Sequence, residues 1–180
     1  MIADDCSVQT RSPPAYLAGY PAHLQQQVGA LIEQGRFAPA LRQRYPKAHG
    51  VRSDSALYDY VQAIKAEHLR SAPPLGKVRF DSTLHVIRNA LGTHTAISRV
   101  QGTRLQAKRE IHIATLFRAV PEEFLRMIVV HELAHLRVRD HDKAFYQLCL
   151  HMEPDYHQYE FDLRAYLVYR DGGGEVLWGA

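Results

Sequence analysis

Residues 121–136 read PEEFLRMIVVHELAHL and predict one long helix. Pro121 suits a first helical turn, because its ring fixes φ near a helical value and its nitrogen needs no helical partner there. Glu122 and Glu123 place negative charge at the positive end of the helix dipole. The apolar residues that follow cover a broad face, formed by Phe124, Leu125, Ile128, Val129, Leu133 and Leu136. We therefore expect this helix to be central and largely buried.

The same helix carries the motif H-E-x-x-H at residues 131–135. His131 and His135 stand four positions apart, so their side chains leave adjacent turns of one face and can converge on one metal ion. Glu132 lies about 100° round the helix from His131, where it can hydrogen-bond a water molecule without ligating the metal. The flanking residues are apolar, and a buried charge needs a partner. The motif therefore predicts a zinc ion, Zn2+, with Glu132 as the catalytic base.

A third metal ligand is expected at His141. It lies ten positions after His131, the interval at which the H-E-x-x-H-x-x-G-x-x-H zincins carry their third ligand. Val138 stands where those enzymes have glycine, so we expect the chain to leave the helix through a turn at Asp140. His141 is favoured because it needs only this local turn to complete an open tetrahedral site. Other candidates for the third ligand stay open, namely Glu153, Asp155, His157 and Glu160.

Two more helices are predicted on the C-terminal side of the motif. Asp142 can cap the first, and Asp155 can begin the second. Cys149 falls on the apolar face of the first helix and is expected to be a core thiol. The three glycines at 172–174 predict a frayed tail.

A small antiparallel sheet is predicted on the N-terminal side. Residues 78–80 alternate as a short strand, and a helix over 82–92 follows, with a strand over 84–88 as the alternative that stays open. Residues 95–100 and 109–115 then predict two strands joined around Gly102. The fold class is therefore α+β, with this sheet packed on the helix that bears the H-E-x-x-H motif.

The chain divides near its proline-rich segment. Residues 22–70 are predicted to be mostly helical, whereas roughly the first 20 residues show no period and indicate a loose arm. Residues 71–76 read SAPPLG and break the helical pattern. We expect an N-terminal arm and helical extension over 1–72 and a catalytic domain over 77–170.

The whole-chain composition is typical of a folded globular protein. The 180 residues are 46% hydrophobic and 23% charged, with a net charge of +3, which excludes wholesale disorder. No apolar run reaches the ~20 residues that a membrane span needs, and the acidic start does not match a secretory signal. Cys6 and Cys149 cannot form a disulfide framework. We therefore expect a cytoplasmic protein with no membrane partner.

A resemblance to a known family rests on three segments, residues 128–136 (IVVHELAHL), 141–145 (HDKAF) and 154–156 (PDY). Together they resemble the YgjP-like zinc metallopeptidases, which are related to the M48 peptidases and similar to the SprT-like proteases. The resemblance covers roughly residues 77–168. It implies an αβα zincin-like metallopeptidase core in which the three histidines bind zinc and Glu132 is the general base.

The function expected first is a zinc metallopeptidase acting on a peptide or protein substrate. Glu132 would take a proton from the attacking water and return it to the leaving nitrogen. The strand at 109–115 could bind an extended peptide by strand addition. An oxyanion donor is also required, and its candidates are Tyr146, Tyr156, His157 and Arg164.

Two other functions stay open. From Lys77 to Arg109 there are seven lysines and arginines against one acid, Asp81, and such a basic stripe can bind nucleic acid. A solvated sheet face explains the stripe better, because no aromatic residues alternate with the charges as a base-stacking surface requires. Hydrolysis of a nucleotide phosphoanhydride would use the same metal site and the same basic stripe.

Overall fold

Residues 15–84 and 109–179 are described by a computed structural model of the chain. Its α-helices, in chain order, are α1 (Ala22–Glu33), α2 (Phe37–Arg44), α3 (Asp54–His68), α4 (Glu122–Ala134), α5 (Lys143–Met152) and α6 (Tyr156–Asp171). Its strands are β1 (Leu75–Asp81) and β2 (Arg109–Ala114), and short 3-10 helices form at Ala15–Leu17 and Thr115–Ala119. The fold class is α+β, as predicted. No helix within these two ranges is both long enough and apolar enough to cross a lipid bilayer.

Helix α4 is the centre of the fold. Between Phe124 and Ala134 only Arg126 and His131 are not buried. Helices α3, α5 and α6 and strand β2 all contact it, so it is enclosed by neighbours on most sides. The prediction of a central, buried helix is confirmed, and its broad apolar face is the reason for its position.

The two strands form a parallel sheet, which corrects the antiparallel arrangement predicted above. Val78 pairs with Ile111 and Phe80 with Ile113, so their apolar side chains lie together. The alternation of apolar residues is the same in parallel and antiparallel strands, and it therefore carries no information on direction. Residues 82–108 are long enough for the crossover that parallel strands require. The predicted helix at 82–92 and strand at 95–100 fall almost wholly outside the described residues.

The N-terminal helices share their hydrophobic core with the rest of the fold. The Asp162 carboxylate on α6 accepts hydrogen bonds from the Tyr45 hydroxyl at 2.6 Å and from Arg44 Nη1 at 2.8 Å. The Asp54 carboxylate on α3 accepts one from the Phe80 backbone N–H on β1 at 2.9 Å. Contacts therefore cross the proline-rich segment at 71–76, and the domain division drawn there stays a prediction.

Both ends of the described chain are packed, which is contrary to the frayed tail expected at the C-terminus, whereas residues 1–14 of the expected loose arm lie outside the described residues. Tyr16 and Leu17 are buried, and Arg164 Nη1 donates to the Tyr16 carbonyl at 3.1 Å. Leu177 and Trp178 are also buried, and Trp178 Nε1–H donates to the Tyr45 carbonyl at 2.7 Å. Both segments are too short to show a period, so individual apolar side chains anchor them without a pattern.

We predict that the packed tail contributes to folding stability. Trp178→Ala should lower the free energy of unfolding by about 3–5 kcal/mol, because it removes a large buried side chain and a hydrogen bond. Val176 is 56% exposed, so Val176→Ala is the matched control and should change stability by less than about 0.5 kcal/mol. Urea denaturation measures both values. Equal stability of the two variants would show that the tail is not packed.

Candidate metal centre

Three histidine side chains meet at the C-terminal end of α4. The Nε2 atoms of His131 and His135 lie 3.2 Å apart, and each is 3.1 Å from Nε2 of His141. We call these three residues the histidine centre. Across residues 15–84 and 109–179 it is the one cluster of metal-binding side chains whose geometry could hold a metal ion.

The turn after α4 brings His141 back to the helix. Helix α4 ends at Ala134, whose carbonyl accepts a hydrogen bond from the Val138 N–H at 3.0 Å. Arg109 on β2 donates to the Leu136 carbonyl at 2.6 Å, which places positive charge at the negative end of the helix dipole. The Asp142 carboxylate caps α5, as predicted, so the loop carrying His141 is held at both ends. The chain makes this return without the glycine found in the comparable zincin motif.

Hydrogen bonds on the far side of two rings set their orientation. His135 Nδ1 lies 3.1 Å from the Val138 carbonyl, which can only accept, so Nδ1 carries the hydrogen and Nε2 carries a lone pair. His131 Nδ1 lies 2.8 Å from the Tyr156 hydroxyl, with Nε2 turned into the centre. A partner on the outer nitrogen is the usual arrangement for metal-binding histidines.

The environment keeps these imidazoles neutral. Burial, followed by the neighbouring His135 and His141, holds the pKa of His131 well below its ordinary value. Burial also lowers the pKa of His135. Neutral imidazoles bind metals, whereas protonated ones do not. Three ring nitrogens within 3.2 Å of one another form a donor set that fits a metal ion.

The Phe145 ring packs against the rings of all three histidines. Its centroid lies 4.9 Å from that of His131 and 4.6 Å from those of His135 and His141, and the residue is fully buried. No role at the centre was predicted for Phe145 from its sequence position. Its place four positions after His141, in the first turn of α5, is the signal that could have indicated contact with the centre.

Glu132 directly follows His131 in the chain. Its side chain is buried, with 8% of the residue's surface exposed. Burial raises the pKa of its carboxyl group to about 8. No hydrogen bond or ion pair to this carboxylate is found within residues 15–84 and 109–179. A buried carboxylate without a protein partner is costly, and a nearby cation would stabilise its charged form.

The rival ligands are engaged elsewhere. Glu153 is ion-paired with Arg126, and Glu160 is ion-paired with Arg164 at 2.7 Å. Asp155 lies 3.5 Å from the Tyr159 hydroxyl, and His157 Nδ1 lies 3.8 Å from a Glu160 oxygen. These four residues are not part of the histidine centre.

The candidate oxyanion donors separate into two groups. Tyr156 is fully buried and bonded to His131, and Arg164 is bonded to Glu160 and to Tyr16. Tyr146 and His157 are at least partly exposed, with ring centroids 5.4 Å apart. The Tyr146 ring lies 6.5 Å from that of His141, so these two side chains border the centre.

Two arginines of the basic stripe bind other groups of the same protein. Arg79 is ion-paired with Asp81 at 2.9 Å, and Arg109 bonds the end of α4. Lys77 is the remaining stripe cation within the described residues, and the other four lie outside them. Nucleic-acid binding stays a prediction.

Comparison with known proteins agrees with this chemistry. Two imidazoles from the end of a helix and a third from the loop that follows it form a donor set typical of catalytic zinc sites. The family described as YgjP-like, metallopeptidase domain, matches residues 83–166. The UTP pyrophosphatase of Escherichia coli (strain K12) is 58% identical over 153 residues, which cover 85% of this chain and 92% of that protein. The chain belongs to the YgjP-like family. No solved structure matches it.

We predict that the purified protein holds close to one metal ion per chain. His135→Ala should remove most of it, because two remaining protein ligands form too weak a site. His23 is exposed on α1, so His23→Ala is the control and should retain the metal. Elemental analysis of the three proteins measures the outcome. Unchanged metal content in His135→Ala would exclude His135 as a ligand.

A separate prediction concerns the third ligand. His141→Ala should weaken metal binding by orders of magnitude, whereas Glu160→Gln should leave it nearly unchanged, because this carboxylate already has an arginine partner in Arg164. Competition with a chromophoric chelator gives the affinities. The opposite pattern, with metal kept in His141→Ala and lost in a glutamine variant, would move the third ligand to a carboxylate.

Proposed function

We propose that this chain is a zinc-dependent hydrolase of a nucleoside triphosphate of the UTP type, releasing the nucleoside monophosphate and pyrophosphate. One observation carries the proposal: an open histidine centre lies in a chain that is 58% identical to a UTP pyrophosphatase. The zincin-like fold and a cytoplasmic location belong to the same proposal and remain predictions.

Zinc is the metal that suits the centre best. Tetrahedral zinc with bonds of about 2.0–2.1 Å holds its ligand nitrogens about 3.3 Å apart. The three Nε2 atoms are separated by 3.1–3.2 Å, close to that spacing. His141 is exposed, so the centre opens to solvent on the side where a substrate can enter. When bound there, zinc polarises a phosphoryl oxygen and lowers the pKa of a coordinated water.

Glu132 would act as the general base. The attacking water gives one proton to the Glu132 carboxylate while its oxygen forms a bond to phosphorus. The bridging P–O bond between the α and β phosphates breaks, and pyrophosphate leaves with that electron pair. Burial raises the pKa of Glu132 to about 8, and a cation in the histidine centre would lower it, so the carboxylate would be ionised near neutral pH and able to accept the proton.

Cleavage of a phosphoanhydride requires fewer proton donors around the centre than cleavage of a peptide bond. Pyrophosphate leaves as a stable anion, whereas a departing amine has to be protonated. Peptide hydrolysis also needs a donor for the oxyanion, and two of the predicted donors, Tyr156 and Arg164, are already bonded inside the protein. This difference favours a nucleoside triphosphate over a peptide as the substrate.

The second candidate is a zinc metallopeptidase, the function expected first from the sequence. The description of the matching family as a metallopeptidase domain favours it. In that reaction Glu132 would return its proton to the leaving nitrogen, and Tyr146 or His157 would be the remaining neighbours able to stabilise the oxyanion.

We predict that Glu132→Gln retains zinc and loses at least about 100-fold in the rate of UTP hydrolysis, because an amide can neither accept nor return the proton. Glu33 is exposed on α1, so Glu33→Gln is the matched control and should behave as the wild type. Chromatography of UMP and pyrophosphate gives the rates, and elemental analysis gives the zinc content. Loss of zinc in Glu132→Gln would make Glu132 a ligand and overturn this mechanism.

Hydrolysis of UTP in 18O-labelled water identifies the phosphorus atom that is attacked. The label should appear in UMP if water attacks the α phosphorus and in pyrophosphate if it attacks the β phosphorus.

Assays with UTP and with peptides separate the two candidate functions. Zinc-dependent cleavage of peptides, with UTP left intact, would replace the proposal with the metallopeptidase.

A further inference from the structure

Tyr156 is held against the histidine centre with little freedom to move. It is the first residue of α6 and is fully buried. Just before it in sequence, Glu153 is ion-paired with Arg126 of α4, and Arg126 Nη2 also donates to the Met152 carbonyl at 3.0 Å. The start of α6 is therefore tied to the helix that carries His131.

The tyrosine meets His131 on the side away from the centre. Its hydroxyl oxygen lies 2.8 Å from His131 Nδ1, and the two rings are nearly parallel, with 15° between their planes. A metal ion on Nε2 requires the hydrogen of the imidazole to be on Nδ1. The hydroxyl must then accept that hydrogen, and its own hydrogen must point elsewhere.

Cys149 is placed to receive the hydroxyl hydrogen. It is a fully buried free thiol on α5 that interacts with Tyr156, and its sulfur is an available acceptor for the hydroxyl hydrogen. A phenol is neutral near pH 7, because its ordinary pKa is about 10. A neutral hydroxyl can donate to sulfur and accept from nitrogen at once.

We propose that Tyr156 is a positioning residue for the metal centre: its hydroxyl accepts the Nδ1–H of His131, which fixes the ring with Nε2 directed at the metal. The inference rests on the metal site of the proposed function and does not depend on the substrate. His135 is fixed by a backbone carbonyl, which no substitution of a side chain removes. His131 is fixed by a side chain, so its orientation can be tested by mutation.

Tyr156→Phe removes only the hydroxyl and should weaken zinc binding by about 10–100-fold, as measured by chelator competition. The matched control is Tyr166→Phe on the same helix. Tyr166 is also buried, and its hydroxyl lies 3.5 Å from the Leu177 backbone N–H, so its loss should leave zinc affinity unchanged. Urea denaturation of both variants separates loss of folding stability from loss of affinity. Equal zinc affinity of the wild type and Tyr156→Phe would overturn the inference.

A second measurement uses the wild-type protein and does not depend on the folding of a variant. In the zinc-loaded protein, NMR of 15N-labelled histidine should show the Nδ1–H of His131 protected from exchange with water. Rapid exchange of this hydrogen would contradict a bond to the buried hydroxyl. Absence of zinc binding by the wild type would instead reject the metal centre itself, so the two failures are distinguishable.

Discussion

The site depends on one constraint: three imidazole nitrogens have to stay within 3.2 Å of one another. Each ring can rotate about its side-chain bonds, so the protein has to hold all three by packing and hydrogen bonding. Helix α4 gives a rigid base, because neighbours enclose it on most sides. The Val138 carbonyl, the Tyr156 hydroxyl and the Phe145 ring limit the rotation that a helix alone leaves free. The centre is therefore organised before a metal arrives.

Burial lowers the pKa of His131 and His135 and raises that of Glu132. A carboxylate removed from water holds its proton more tightly, and a nearby cation works against that effect. Metal binding and base strength are thus coupled through one environment. This chemistry is shared by peptide and phosphoanhydride hydrolysis, which explains how a family described by peptidase activity includes a relative named as a UTP pyrophosphatase. The choice of substrate has to come from residues around the centre rather than from the centre itself.

The predictable parts of the structure are local ones. Residues four apart on a helix share a face in any tertiary fold, so His131 and His135 could be paired from sequence alone, and His141 needed only one added turn. The direction of the sheet could not be derived, because alternation is identical in both arrangements. The contacts of Tyr156 with His131 and of Trp178 with Tyr45 were not predicted. They join residues that are 25 and 133 positions apart, respectively, and no sequence period connects such positions.

The bond between Trp178 and the Tyr45 carbonyl also constrains how the protein matures on the ribosome. Translation at about 5–20 residues per second separates these two residues by roughly 7–27 s. Asp162, which accepts the hydroxyl of Tyr45, is translated nearly as late. During that interval α1 and α2 exist without the partners that cover their apolar sides. The N-terminal helices therefore cannot complete their packing until the C-terminal residues have been translated.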